Sequence, residues 1–279
     1  MTTEQTATNQ SYVFDQSRLD HERLVRQARR LDAFALQACV RAGLQPGARA
    51  IDVGCGPLGA LPVLRELVGP DGSVVGLDAN PAALVHAREK LDESGLLDIE
   101  LVHADVNSLD ETPLAASREF DLAYCRLVLM YQPDPAATLH QIARLVRPGG
   151  RIVSSDILYD PRYPRAHPPV AALERTIRLF YALVERKGGT LDVVQQYRRI
   201  CEQAGLRYID QHGWFWCSDP RELLVWYCDN LLGMRGNLVA HNLATEEEVN
   251  VLVREMETAQ ETVEFAATNL IVDMITEVP

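Results

Sequence analysis

Residues Ala50 to Leu61 read A-I-D-V-G-C-G-P-L-G-A-L, a short apolar run that carries one acid and ends in three glycines. Ala50, Ile51 and Val53 suit a buried strand, with Asp52 set among them. Gly54, Gly56 and Gly59 lack Cβ, so a turn built on them can take positive φ angles and let a ligand press on the backbone. Ala60, Leu64, Leu67 and Val68 follow at helical spacing. Strand, glycine turn and helix together make a nucleotide-binding device of open α/β sheets. This segment taken alone suits a dehydrogenase as well as other nucleoside-binding proteins.

Further stations follow in order. Val74 to Leu77 form a second strand that ends in Asp78, at the spacing where an acid can accept both hydroxyls of a ribose. A third strand, Ile99 to Val102, runs into His103-Ala104-Asp105-Val106. A fourth, Phe120 to Tyr124, leads into Cys125-Arg126-Leu127, and a helix then precedes L-V-R-P-G-G-R-I-V from Leu145 to Val153. This ordered set resembles the class I S-adenosylmethionine-dependent methyltransferases, closely from about Tyr12 to Ile157 and in outline beyond.

The resemblance implies S-adenosylmethionine as cofactor and assigns roles along the chain. Gly54, Cys55 and Gly56 lie under its ribose and amino-acid portion. Asp52 orients the turn or faces the cofactor ammonium through water. Asp78 is the ribose acid, and Ala79 is small enough to lie beside adenine. Asp105 accepts the adenine amino group and Val106 offers its N–H to a ring nitrogen, although Asp105 and Asn107 are also helix-capping types. Arg126 and Leu127 fall near the methionine part, where an arginine can grip a carboxylate with two parallel hydrogen bonds or form a structural ion pair. Tyr12 lies in a segment that folds over the cofactor in relatives. Tyr131, in M-Y-Q-P-D-P, stands where relatives often carry histidine, which leaves a phenol of high unperturbed pKa. Tyr131, His167 and His212 are the candidate catalytic groups, the two histidines by location only.

Composition narrows the class. The 279 residues are 47% hydrophobic and 24% charged, ordinary for a globular protein long enough to need no disulfide or metal staple. The six cysteines include no C-x-x-C pair and no clustered His/Cys ligands, which points to reduced thiols in a cytoplasm and away from a metal site. No apolar run approaches the about 18 residues of a membrane span, and the N-terminus has neither basic stretch nor apolar core. With 27 basic and 39 acidic residues the formal net charge is −12, so a nucleic-acid partner is not expected. A small-molecule substrate is.

The elements that position these residues alternate as β and α. One or two helices over 15–43 carry Leu19, Leu24, Leu31, Phe34, Ala38 and Cys39 at roughly helical period. Helices at 80–92 and 135–146 lie between strands, and a fifth strand spans Arg151 to Ile157. Helices at about 169–187, 191–204, 219–234 and 245–261 follow, with strands at Arg207 to Gln211 and about 265–275. The expected fold is α/β, a Rossmann-like seven-stranded, mostly parallel sheet whose last strand is antiparallel (this last by resemblance), plus a helical cap. The organisation expected is a flexible tail at 1–11, a helical lid at 12–43 and a cofactor-binding core at 44–157. The C-terminal half, 158–279, carries the cap helices and the last two strands.

His21-Glu22-Arg23-Leu24 resembles a stretch in a subset of the family and suits lid packing. The cap holds Phe180, Tyr181, Trp214, Phe215, Trp216, Trp226 and Tyr227, some for the core and some for a substrate cavity. The expected function is methyl transfer to a small apolar or aromatic metabolite of natural-product type, by a chain that can also form a homo-oligomer. Three alternatives stand beside it: a cyclase or binding module that keeps the cofactor without transferring methyl, a nicotinamide-dependent dehydrogenase, and a macromolecule methyltransferase. Cys125-Arg126-Leu127-Val128 is unlike the Asn/Asp-Pro-Pro-aromatic motif of amino-directed DNA enzymes.

Overall fold

The computed structural model describes residues 12–112, 114, 119–160 and 162–279. The tail expected at 1–11 lies outside the described residues. Among the described residues a single helix, α1 (Arg18–Arg41), precedes the sheet and is capped by Ser17, whose side chain accepts from the Asp20 N–H. Its inner face is Val25, Ala28, Leu31, Ala35 and Ala38. Leu19, expected in that stripe, is 82% exposed because it lies off the inner face, which at this end of the helix is formed by Asp20, His21 and Arg23.

Strands β1 (Arg49–Val53), β2 (Ser73–Asp78), β3 (Glu100–His103), β4 (Phe120–Arg126) and β5 (Val146–Ile157) pair in parallel. Helices α2 (Leu61–Val68), α3 (Pro81–Glu93) and α4 (Pro135–Ala143) connect them, the last two opening on Asn80 and Asp134 caps with proline in the first turn. Beyond β5 come β6 (Arg165–His167), α5 (Ala171–Arg186), α6 (Tyr197–Gln203), β7 (Arg207–Phe215), α7 (Pro220–Ala240), α8 (Glu246–Ala259), β8 (Phe265–Ala267) and β9 (Leu270–Glu277). The sheet order is β3-β2-β1-β4-β5-β9-β7, with β9 antiparallel to both neighbours. Seven strands, mostly parallel, with an antiparallel last strand, is the expected architecture.

Two expectations change in detail. The stretch at 265–275 is two strands: β8 pairs with β6 in a separate small sheet, and only β9 joins the main one. Thr268 and Asn269 interrupt it because their side chains bond elsewhere, Thr268 Oγ1 to the Trp216 carbonyl and Asn269 Nδ2 to the Tyr181 hydroxyl. The helix at 191–204 is a 3-10 turn, Val194–Gln196, followed by the shorter α6. Among the described residues no helix is long and apolar enough to cross a membrane.

A buried carboxylate ties the carboxyl end of β5 to its surroundings. Asp156 is fully buried, and its Oδ1 accepts the Met130 N–H at 3.2 Å. The Tyr197 hydroxyl lies 3.2 Å from Asp156 Oδ2 and 3.1 Å from the Val272 carbonyl oxygen. One hydroxyl proton cannot serve both. A proton on Asp156 resolves the conflict, since the carboxyl then donates to Tyr197 and Tyr197 to Val272. Burial pushes the Asp156 carboxyl up to about 7, against the opposing bonds from Met130 and Tyr197. Because this exceeds an unfolded value of about 3.9, the folded state binds the extra proton, and stability at this site falls as pH rises from about 4 to about 7. Asp156→Asn carries no charge at any pH. It should therefore melt above wild type at about pH 8, with a shallower fall in Tm from about pH 5 to about pH 8. Thermal melts at several pH values check this; an unaltered slope would remove Asp156 as its source.

Candidate active site

The glycine turn is pinned to the end of β2. Gly54 N–H and Cys55 N–H both donate to the Leu77 carbonyl, at 2.7 and 3.1 Å, and Gly56 N–H donates to Asp78 Oδ2 at 2.7 Å. The other Asp78 oxygen accepts the Asn80 N–H at 2.8 Å. Burial raises the Asp78 pKa, opposed by these two amide bonds and by His103. Asp52 lies beneath the turn and accepts the Ala60 N–H at 2.6 Å, so it orients the loop-to-helix step directly. Burial pushes its carboxyl up to about 6, against the Ala60 bond and the Arg126 charge. Cys55 is a buried thiol raised well above its ordinary pKa by burial, so it is a packing group here and no nucleophile.

Asp105 caps a 3-10 turn, Val106–Glu111, through Oδ1 to the Asn107 N–H at 2.9 Å, and it also lines the cavity. Capping and ligand contact are thus compatible at one residue. Asn107 then ties this loop to its neighbours, donating to Gln132 Oε1 at 3.0 Å and accepting from Thr138 Oγ1 at 2.7 Å. Arg126, at the end of β4, lines the cavity with a buried Nη1 that has no hydrogen-bond partner among the described residues, and its charge favours the ionised form of Asp52. Leu127 takes a φ of +56°, a conformation L side chains rarely adopt, and its N–H is locked to the Ser155 carbonyl at 2.7 Å. That strain aims the backbone after β4 into the cavity mouth.

One continuous cavity of about 260 Å³ joins these residues to the cap. Tyr12, Asp52, Gly54, Cys55, Gly56, Asp78, Ala79, Asp105, Val106, Arg126, Leu127 and Tyr131 all line it. The Tyr12 and Tyr131 rings meet edge-on with centroids 5.4 Å apart. Burial raises both phenols above their ordinary range, so each is a neutral hydrogen-bonding group at neutral pH.

The two candidate histidines are elsewhere. His167 is exposed on β6, paired with β8, and His212 stands on the edge strand β7 against Trp214; neither lines the cavity. His167 lies in the separate β6–β8 sheet, and His212 lies on the outermost strand of the main sheet, two strands beyond β5. Residues passed over in the sequence are present instead. Gln16 accepts from Asn80 Nδ2 at 3.1 Å, which joins the N-terminal segment to the strand end bearing Asp78. His21, Gln27, Asn230 and Gln132 also line the cavity. The D-H-E-R run at 20–23 was the available signal for the α1 group, since a buried ion pair at i, i+3 needs that spacing.

Gly59 sits at a φ of +55°, and a Cβ there would come within 2.2 Å of Asp52 Oδ2 and 2.7 Å of the Cys55 carbonyl oxygen. Gly59→Ala should lower stability by at least about 1–2 kcal/mol from left-handed strain alone and displace Asp52 from Ala60. Thermal denaturation and calorimetric titration of S-adenosylhomocysteine check it. Wild-type melting and binding together would show that the turn does not depend on this position.

Comparison with known proteins closes the identification. The family described as "Methyltransferase domain" matches residues 44–198. The ubiquinone biosynthesis O-methyltransferase of Aromatoleum aromaticum is 32% identical over 215 residues, spanning 74% of this chain and 76% of the relative. The aklanonic acid methyltransferase of a Streptomyces species is 31% identical over 174 residues, 59% of this chain and 77% of the relative. A further relative, a 37.1 kDa protein in a Streptomyces fradiae transposon, is matched over 32% of its own length at 34% identity, covering 42% of this chain. Among solved structures, a methyltransferase-fold protein from Bacillus halodurans superposes with a TM-score of 0.59 at 18% identity, covering 87% of this chain and 97% of that one. With the glycine turn, Asp78 and the Asp105 loop gathered around one cavity, the chain belongs to the class I S-adenosylmethionine-dependent methyltransferases.

Proposed function

We propose that this enzyme transfers a methyl group to a small apolar or aromatic metabolite of natural-product type, held between the cofactor and the cap. The observation that carries this reading is the continuity of the cavity from Asp78 and the glycine turn to a wall of Phe180, Trp216, Trp226 and Tyr227. The similarity to enzymes named for ubiquinone and aklanonic acid supports an acceptor of that kind.

The residues present fit the cofactor. Gly54 has no room for a side chain, since a Cβ would lie 2.6 Å from Val128, and the turn leaves backbone at the cavity surface. Asp78 would hold the ribose, Ala79, Asp105 and Val106 the adenine, and the orphaned guanidinium of Arg126 the cofactor carboxylate. Tyr12 would close over the cofactor from the lid. S-adenosylmethionine, when bound, supplies a sulfonium whose methyl group is open to in-line displacement. The chain's own part is to bind, align and exclude water, with the Tyr12 and Tyr131 phenols as neutral hydrogen-bonding groups.

The N-terminal segment is built to serve as the lid. Asp15 N–H donates to the Gly233 carbonyl at 3.0 Å, Asn237 Nδ2 to the Val13 carbonyl at 3.0 Å, and Arg26 pairs with Asp229 at 2.8 Å, all on α7. On the core side Glu22 faces His86 and Lys90 of α3. These contacts are few and partly exposed, so they can open for exchange.

Asp78→Ala should weaken S-adenosylhomocysteine binding by about 1.5–3 kcal/mol, the scale of hydrogen bonds to a charged acceptor. Calorimetry measures this, with circular dichroism as the fold control; wild-type affinity would refute the ribose assignment. Trypsin cleavage at Arg18, Arg26 and Arg29 should slow when S-adenosylhomocysteine is added. Identical cleavage with and without it would argue that α1 does not close over the cofactor.

A further inference from the structure

The seam between α1 and α7 carries an oriented polar fixture facing the chamber. Arg23 is 2% exposed and paired with Asp20, its Nε donating to Oδ1 at 2.7 Å, and its Cζ lies 3.8 Å from the Phe14 ring centroid. The remaining reach of the guanidinium goes to two amides. Nη1 donates to Gln27 Oε1 at 3.1 Å and to Asn230 Oδ1 at 2.8 Å. A guanidinium has donors only, so the oxygen of each amide must face it and each NH2 must face away. Gln27 and Asn230 both line the cavity, and neither NH2 has a protein partner among the described residues.

Among the described residues, Trp226 Nε1, His21 Nε2 and Asp20 Oδ2 are also without hydrogen-bond partners along this cavity, but only Gln27 and Asn230 pair two amide donors on one fixture. Asn269, the other amide in the wall, is committed. Its Nδ2 donates to the Tyr181 hydroxyl at 2.5 Å and the Tyr163 carbonyl at 3.3 Å, and its Oδ1 accepts from Tyr227 at 3.4 Å. Thr268 Oγ1 is bonded to the Trp216 and Asn269 carbonyls. Asp20 neutralises Arg23, so the fixture presents donors without a net charge that would favour an anion.

We propose that Gln27 Nε2 and Asn230 Nδ2 determine specificity by gripping a hydrogen-bond-accepting oxygen, such as a ring carbonyl, on an uncharged planar substrate, and that they reject ammonium-bearing substrates. This rests on the reading of the chamber as the methyl-accepting site. An ammonium placed there meets two more donors and loses its own hydration, whereas a carbonyl oxygen has lone pairs for both N–H groups. The Asp20–Arg23 pair acts as a positioning device, holding both amides in one flip.

Three probes of one shape test it by calorimetry on the full chain saturated with S-adenosylhomocysteine: 1-tetralone, tetralin and protonated 1-aminotetralin. Tetralone should bind about tenfold or more tighter than tetralin, the scale of one to two added neutral hydrogen bonds, and aminotetralin more weakly than tetralin. Gln27→Leu and Asn230→Leu should each bring tetralone toward tetralin while tetralin affinity holds. Gln27→Glu, which replaces the donor by an acceptor, should favour aminotetralin instead. Equal binding of tetralone and tetralin by wild type, a tetralone preference that survives both leucine variants, or no binding of any probe would overturn the proposal. S-adenosylhomocysteine is titrated first, and its failure to bind wild type would sink the methyltransferase reading separately.

Discussion

The Leu77 carbonyl accepts two amides at once, Gly54 N–H and Cys55 N–H, and the geometry of the site depends on that junction. It clamps the end of β1 onto the end of β2, so the glycine turn cannot drift away from Asp78. Asp78 then closes the ledge by accepting Gly56 N–H on one oxygen and Asn80 N–H on the other. A carboxylate placed among backbone donors stays at the rim with its charge partly satisfied, in spite of burial. Asp52 repeats the device one layer below, where Ala60 N–H ties the turn to the first helix. Two acids and three glycines thus build a surface whose contacts to a ligand come largely from backbone.

What lies over the ledge is connected to it through single side chains. Gln16 and Asn80 join the N-terminal segment to the end of β2, and Arg23 joins the same segment to α7. The N-terminal segment therefore touches both the strand-end wall and the cap-side wall of the cavity. A buried ion pair such as Asp20–Arg23 contributes little net stability compared with apolar packing, but removing one member leaves the other uncompensated. Its presence at this seam makes better sense as a fixed orientation for Gln27 and Asn230 than as a source of stability.

The cofactor end of the site was legible in the sequence because each of its parts is local. A strand, a turn and the first helical residue lie within a dozen positions, and every residue assigned there reaches the cavity. Acceptor-side residues behave differently. Gln27, Asn230 and Asn269 come from separate elements, and only the packing of α1 against α7 brings the first two together. His167 and His212 lie near the cap in the chain, but β6 pairs off with β8 in a separate small sheet and β7 is the outermost strand of the main one, and neither histidine lines the cavity. Leu19 fails as a core residue for a simpler reason: the buried face at the start of α1 is made of Asp20, His21 and Arg23, polar residues that an apolar period does not count.

The division of charge along the cavity follows from these constraints. Asp52, Asp78, Asp105 and Arg126 collect at the strand ends, where backbone donors, the short 3-10 turn and one another offset their burial. The upper chamber has aromatic walls, and its one ion pair is turned inward on itself. A charged substrate entering there would lose its hydration against a wall whose carboxylate, Asp20, is already engaged by Arg23. An uncharged aromatic loses little, and the walls return that loss by burying its faces. The chamber proposed for the acceptor would thus select by what it withholds as much as by what it offers, and polarity at the cofactor end need not compromise an apolar pocket beside it.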